Sequence, residues 1–399
     1  MRRVSVEQRR HAVVRRHHLR GDARDAEQVT RALIALHATD PATVYLAVLA
    51  RSARSTIAEV AEQMYERRRL VRWMAMRRTL FLLPRDDVPL VHAAVSLPLA
   101  AALRRRLLSR LRRQGTEPPI DGDPGAWLTD LAGRVEGALH ARGTATGAEL
   151  GADVPGLRTT LAAGAPSERP QTLTSPLLTV LGTEGRLVRG TPTGPWTSRN
   201  HRWEPVERWW PEGLPVLAGE EAERSLAHRW LARFGPATVE DLRWWTGWSA
   251  STVRRALTGL PVEEVDLHGE PGIALDALDE DDGDPDTAPA GLPVATLLPA
   301  LDPTPMGWTR RDWFLGVDRR LLFDRAGNIG PTLWWDGEVV GSWAVTGSGV
   351  VRTALVADRG ADARAAVEQA AAVLQERLGG AVVTPACRTP LERSLVDEG

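Results

Sequence analysis

Between Glu220 and Leu278 the order of helix-starting and helix-ending residues leaves the chain few ways to fold. Glu220 to Phe234 reads as a helix, closed by Gly235-Pro236. Thr238 followed three residues later by Asp241 matches a capping box, in which each side chain satisfies a free backbone donor, and it opens a short helix through Trp245. Thr246-Gly247-Trp248 makes a tight turn, and Ser249 caps a third helix, Ala250 to Leu257, carrying Arg254 and Arg255. The short apolar stretches Val262–Leu267 and Ile273–Leu278 come next. Helix, turn and basic helix followed by two short strands predicts a helix-turn-helix with a wing.

Two further stretches follow the same plan. In 126–203, Leu128 to Ala141 is helical, Thr146 and Glu149 form a second capping box, Ser175 to Leu181 continues as helix, and Arg186 to Gly190 is strand-like. Trp196, Arg199, Arg202 and Trp203 close it; that interleaving suits a nucleic-acid surface and equally suits tryptophans packed under arginine stems. At the N-terminus, helices near Val6–Leu19 and Glu27–Leu36 precede His37-Ala38-Thr39-Asp40-Pro41, with Asp40 placed to cap a helix whose first residue is Pro41. Met76 to Leu83 reads as a strand. Pro84 to Asp87 then turns into a long helix ending in the densest basic patch of the chain, Arg104, Arg105, Arg106, Arg110, Arg112 and Arg113.

Past the acidic linker Asp279–Asp286 the pattern becomes short strands over 293–355. Asp336-Gly337 is a type I′ hairpin signal, and the turn Ala326-Gly327-Asn328 is flanked by Arg319, Arg320 and Arg325. Ala361 to Leu378 is a closing helix. The predicted fold class is α+β: three winged-helix modules at 1–115, 116–212 and 213–285, then a small antiparallel sheet or barrel over 286–399. No fixed period recurs, so the modules are not a strict sequence repeat.

At 399 residues, 43% hydrophobic and 25% charged, the chain can fill two or three cores. No run of eighteen apolar residues predicts a membrane span, and the charged helical start has no signal-peptide core, so a cytoplasmic protein is expected. One cysteine, Cys387, rules out an internal disulfide and a cysteine zinc site; no histidine, His17-His18 included, has ligand spacing, so neither metal nor cofactor is expected. All 50 basic residues are arginine, each able to fork onto a phosphate. The net charge of −1 conceals an asymmetry: residues 1–115 hold 24 arginines against 10 acids, and 261–290 hold 11 acids and no arginine. A basic half beside an acidic segment is a usual nucleic-acid footprint. The candidate contacts are Arg77, Arg78, Arg104, Arg105, Arg106, Arg254, Arg255, Arg319, Arg320, Arg325 and Asn328.

Several of these segments resemble the AlkZ/YcaQ family of bacterial DNA glycosylases. The likeness rests on Ala35-Leu36-His37-Ala38-Thr39-Asp40-Pro41, on Met76-Arg77-Arg78-Thr79-Leu80, on Arg229-Trp230-Leu231 with Gly235-Pro236-Ala237-Thr238, and on Leu301-Asp302-Pro303 with Phe323-Asp324-Arg325-Ala326-Gly327. The resemblance implies three winged-helix motifs around a small β-barrel, a concave surface that binds double-stranded DNA containing damaged purines, and a barrel hairpin that enters a DNA groove. It also implies excision of alkylated purines, including bulky adducts and crosslinks made by genotoxins against which the producer must protect itself. Two departures stand out. The family's paired glutamines before Asp-Pro are His37 and Thr39 here, and its Arg-Gly-Thr-Leu-His motif is Arg77-Arg78-Thr79-Leu80-Phe81.

A purine alkylated at N7 or N3 is already cationic and leaves without a strong acid, so the enzyme must position a water and stabilise positive charge on the sugar. Neutral His37 could accept a hydrogen bond from that water, Thr39 could accept a second, and Asp40 could add negative charge. Protonated His37 would repel the cationic base, so activity is expected to decline below about pH 6.5, the reference imidazole value. No lysine exists for a Schiff-base lyase step, which predicts a monofunctional enzyme, expected as a monomer, that leaves an abasic site. The alternative is a non-catalytic winged-helix DNA-binding protein, a damage sensor or regulator, that has lost the glutamines.

Overall fold

The computed structural model describes residues 1–162, 170–276, 293–386 and 388–397, so the acidic linker Asp279–Asp286 and Cys387 lie outside the described residues. Its largest sheet grows from the strand Leu80–Pro84, whose sequence Leu-Phe-Leu-Leu-Pro is buried at every position. A strand covered on both faces needs such a continuous apolar run rather than an alternating one. Leu80–Pro84 pairs with Leu36–His37 on one side and Leu70–Met74 on the other; Leu187–Pro192 and His201–Pro205 complete five antiparallel strands. The basic strand read at Arg186–Gly190 is therefore present. It pairs with the N-terminal region through Arg72 opposite Arg189.

The segment 219–275 forms as its capping residues dictate. Helix Gly219–Phe234 precedes Val239–Thr246 and Ala250–Leu257; Thr238 and Asp241 complete the capping box, Ser249 accepts from the Thr252 amide, and Gly247 takes the left-handed conformation that ends the middle helix. The hairpin Val262–Asp266 and Pro271–Leu275 follows, extended by the parallel strand Arg2–Arg3. Thr146 and Glu149 close their capping box as well.

Three local expectations are corrected. The helix read to Leu36 stops at Ala32, because Ile34 turns left-handed (φ 64°), and His37 belongs to a strand rather than to a helix end. The strand read from Met76 begins only at Leu80. Met76–Arg78 is the turn that reverses the chain, with Arg77 and Arg78 both at positive φ (52° and 61°). The expected C-terminal barrel is an open four-stranded antiparallel sheet, Ala295–Leu298, Thr332–Trp335, Glu338–Val345 and Val351–Leu355 in that order. Helix Gly360–Leu378 packs on both edge strands, which do not pair with each other. Asp336 and Gly337 take positive φ, as a type I′ turn requires. Trp334 and Trp343 are core residues of this region.

Residues 85–114 run as one helical stretch, the one helix among the described residues long and apolar enough by composition to cross a bilayer; most of its apolar part is buried inside the protein.

One buried network ties the layers together. Arg51, at the end of helix Pro41–Arg51, forms a bidentate pair with Asp302 at 2.8 and 2.6 Å, both side chains fully buried. Arg51 also donates to the His17 and Ala47 carbonyls and to Thr304 Oγ1. Thr304 Oγ1 lies 2.9 Å from His17 Nδ1, and His17 Nε2 lies 3.1 Å from the Arg233 carbonyl. A carbonyl only accepts, so Nε2 carries the proton and Nδ1 accepts from the Thr304 hydroxyl. Burial, reinforced by Arg51, drives the His17 pKa well below its ordinary value, which keeps the ring neutral.

Removing one partner of such a pair strands a buried charge. Asp302→Ala should lower the unfolding free energy by about 3–5 kcal/mol in denaturant melts, and Arg51→Met combined with Asp302→Leu should recover most of that. A single-mutant loss below about 1 kcal/mol would show that the pair carries no part of the stability.

Candidate active site and nucleic-acid interface

The slot before Asp40-Pro41 is built on the edge of the five-stranded sheet. His37 sits opposite Phe81 with ring centroids 5.1 Å apart, and the Ala38 amide continues the pairing to the Leu80 carbonyl. The imidazole is buried, and its Nδ1 has no hydrogen-bond partner among the described residues. Burial, and then the positive charge of Arg77, lower its pKa to about 4. The ring is therefore neutral throughout the range in which a free imidazole would titrate, and the expected loss of activity near pH 6.5 does not follow from this site. Thr39, two residues on, is exposed.

Asp40 is buried and stands at the N-cap of helix Pro41–Arg51, yet its side chain makes no capping hydrogen bond. The carboxylate accepts instead from the Ala386 amide at 3.0 Å and lies 3.7 Å from Arg199. Burial raises its pKa, against the pull of Arg199 and of the nearby Ala386 and Ala42 amides. Asp40 shares a mostly apolar recess with Thr43, Ala300, Pro331, Trp343 and a second carboxyl, Glu392. Burial pushes Glu392 up to about 7, opposed by Arg388 and assisted by Asp40. Sequence reasoning missed Glu392. Thr389 and Glu392 have capping-box spacing, which signals the helix Pro390–Asp397 but not that the acid is buried beside Asp40.

The arginines proposed from sequence separate into two groups. Arg104 is held by Glu184 at 2.5 and 2.9 Å, Arg255 by Glu223 at 2.6 Å, and Arg320 by Asp318 at 2.6 Å. Asn328 donates to Asp324 at 2.9 Å and shapes its own turn. These four are committed within the protein. Arg78, Arg105, Arg106, Arg254 and Arg325 are exposed, with no ion-pair partner among the described residues. Arg77 lies 4.0 Å over Trp244, and the exposed Arg319 lies 5.0 Å over Phe323. Arg319–Leu322 is a short helix leading into the turn, not a hairpin strand. Trp203 is buried beneath Arg189 and Arg202 pairs with Glu149, so these two members of the tryptophan–arginine interleaving are committed to packing.

No curated protein matches the chain. The fold is similar to that of a solved structure, the Streptomyces sahachiroi DNA glycosylase AlkZ, with a TM-score of 0.72 at 22% identity, covering 96% of this chain and 98% of that one. The sequence matches the DNA glycosylase AlkZ-like family over residues 30–377, a span that includes His37, Thr39 and Asp40 as well as the 219–275 helices. The chain belongs to the AlkZ-like DNA glycosylase family.

Proposed function

We propose that the protein is a monofunctional DNA glycosylase that hydrolyses the N-glycosidic bond of purines alkylated at N7 or N3, bulky genotoxin adducts among them, and leaves an abasic site. Its 219–275 helices and hairpin act as a winged-helix reader of the duplex, with related modules before them. The observation that carries this reading is the electrostatic setting of His37: a buried ring, held neutral, with an unpartnered nitrogen in the slot before Asp40. A neutral ring nitrogen can accept a hydrogen bond from an attacking water, and it adds no repulsion to a cationic base or to positive charge developing on the sugar. Thr39 is exposed and can accept a second hydrogen bond from that water. Asp40 supplies negative charge from the recess, and the Ala386 amide fixes its carboxylate.

The test is excision of N7-methylguanine from a defined duplex, read as abasic sites cleaved by alkali. His37→Ala should abolish excision while leaving duplex affinity within about twofold, because the ring serves the reaction and not a phosphate. Thr39→Val should cost less. Because the folded His37 pKa is lowered, its protonation begins only as pH approaches about 4, so the rate should show no break at pH 6.5. Wild-type rates from His37→Ala would make the ring a packing partner of Phe81. Binding without any excision across a panel of alkylated duplexes would favour the non-catalytic reading.

Binding should depend steeply on salt. With roughly 6–10 phosphates neutralised, affinity should fall about 10³–10⁵-fold between about 50 and 200 mM salt. Arg105→Ala with Arg106→Ala should reduce the slope of log affinity on log salt by about 1 for each phosphate left unneutralised, whereas Arg104→Ala, already paired with Glu184, should barely change it. A flat salt profile would remove the electrostatic account.

A further inference from the structure

Around the rings of Trp244 and Phe323 three arginines converge from separate parts of the chain, and none of them has an ion-pair partner among the described residues. Arg77 comes from the left-handed turn after Leu70–Met74, Arg311 from the loop after Trp308, and Arg319 from the short helix before the Asp324–Asn328 turn. Guanidinium and ring alternate: Arg77 lies 4.0 Å from the Trp244 ring, Arg311 lies 4.9 Å from Trp244 and 4.9 Å from Phe323, and Arg319 lies 5.0 Å from Phe323. Arg311 is only 4% exposed, yet among the described residues its Nε has no partner and its Nη2 meets only the Met306 sulfur, at 3.8 Å. The Arg77 Nε is likewise buried without a partner. The acid acting on Arg311, Asp241, already accepts from the Thr238 amide and hydroxyl and from the Thr309 and Arg310 amides.

Ring faces attract cations, but they do not replace the hydrogen bonds that a desolvated guanidinium leaves unmade. Burial and mutual repulsion lower the Arg311 pKa to about 10, with Arg319 and then Arg77 the sources of the repulsion. An anion with several acceptor oxygens would relieve all three charges at once, and guanidinium forks match a phosphate in geometry. The turn that carries Arg77 leads into Leu80–Pro84, the strand that pairs with His37, so the cluster and the slot before Asp40 are joined through one strand, and Arg77 is the cation felt by His37.

We propose that Arg77, Arg311 and Arg319, braced by Trp244 and Phe323, form a binding site for one backbone phosphate of the DNA strand that carries the target nucleotide. The assignment rests on the glycosylase reading for its location, but its test does not depend on excision. Trp244 and Phe323 hold the guanidiniums apart, so the phosphate meets a preformed site. A phosphate fixed there would hold the sugar next to it in register with His37.

The experiment is a coupling cycle between protein and DNA. A duplex containing a tetrahydrofuran abasic analogue is made with an uncharged methylphosphonate at each phosphate in turn, and binding is measured for wild type, Arg311→Gln and Arg319→Ala. At one position the methylphosphonate should weaken wild-type binding about tenfold and cost Arg311→Gln almost nothing more, as expected when both changes remove the same charged hydrogen bonds. Arg319→Ala, an exposed substitution that leaves the fold intact, should show the same coupling if Arg311→Gln is too unstable to assay. Additive losses at every position would overturn the proposal. So would a rise in melting temperature of wild type with inorganic phosphate, absent in Arg311→Gln, together with an additive cycle, because the site would then serve a free anion. Excision of N7-methylguanine is scored separately: intact excision with no coupling rejects the phosphate site alone, and coupling without excision rejects the catalytic reading alone.

Discussion

Helix Pro41–Arg51 begins at the candidate slot and ends in the pair between Arg51 and Asp302, and the rest of the structure depends on that second end. The pair is fully buried and shares its donors with Thr304 and with the His17 carbonyl, while His17 itself reaches the end of helix Gly219–Phe234. Three separate stretches of chain are thereby fixed to one guanidinium. The cost of desolvating such a pair is recovered only when every remaining hydrogen-bonding group is satisfied, and here the Arg51 fork and both Asp302 oxygens have partners. The consequence reaches the site through rigidity. With Arg51 held, Thr43 bonded to the Ala300 carbonyl and Asp40 bonded to Ala386, the first and last turns of the helix cannot shift independently of the C-terminal region.

Local capping is legible in the sequence, and long-range pairing is not. Thr238 with Asp241, Thr146 with Glu149 and Ser249 before Ala250 each announce a helix start through groups within three residues of one another, and each forms. Asp336-Gly337 announces its turn for the same reason. By contrast, Leu36–His37 is too short to show any periodicity. It becomes a strand because Leu80–Pro84 passes beside it, so no window around His37 could distinguish it from a helix end. The positive φ values of Ile34, Arg77 and Arg78 are equally hidden, since nothing in a β-branched residue or an arginine signals a left-handed backbone.

The candidate site is legible as positions but not as environments. The segment His37-Ala38-Thr39-Asp40 can be singled out from its residues, but the ionisation of those residues depends on what folds over them. A free imidazole would set the pH response near 6.5, and burial beside Arg77 moves it to about 4. An aspartate at an N-cap ordinarily accepts from the first helical amides, whereas Asp40 accepts from an amide 346 residues away in the chain. Glu392, which shares its recess, arrives on the helix Pro390–Asp397, and no local pattern there points toward Asp40.

A chain whose every permanent cation is arginine must keep some of them for itself, and the structure shows how it chooses. Arg104, Arg255 and Arg320 each meet a carboxylate in forked geometry, and such pairs neither attract nor orient a polyanion. Arg105 and Arg106, one and two positions past Arg104 on the same helix, point to solvent, because residues that close in sequence do not share a helix face. The number of arginines in 1–115 therefore overstates the surface available to a phosphate backbone. What matters is which guanidiniums lack an acid and are also cut off from water. By that measure the strongest candidate lies not in the densest basic patch but at Arg311, outside it altogether. An exposed arginine satisfies its donors with water at little cost, so its freedom says little about what it binds. A buried one with an unmade hydrogen bond carries that penalty for as long as the protein stays folded, and only an arriving acceptor removes it.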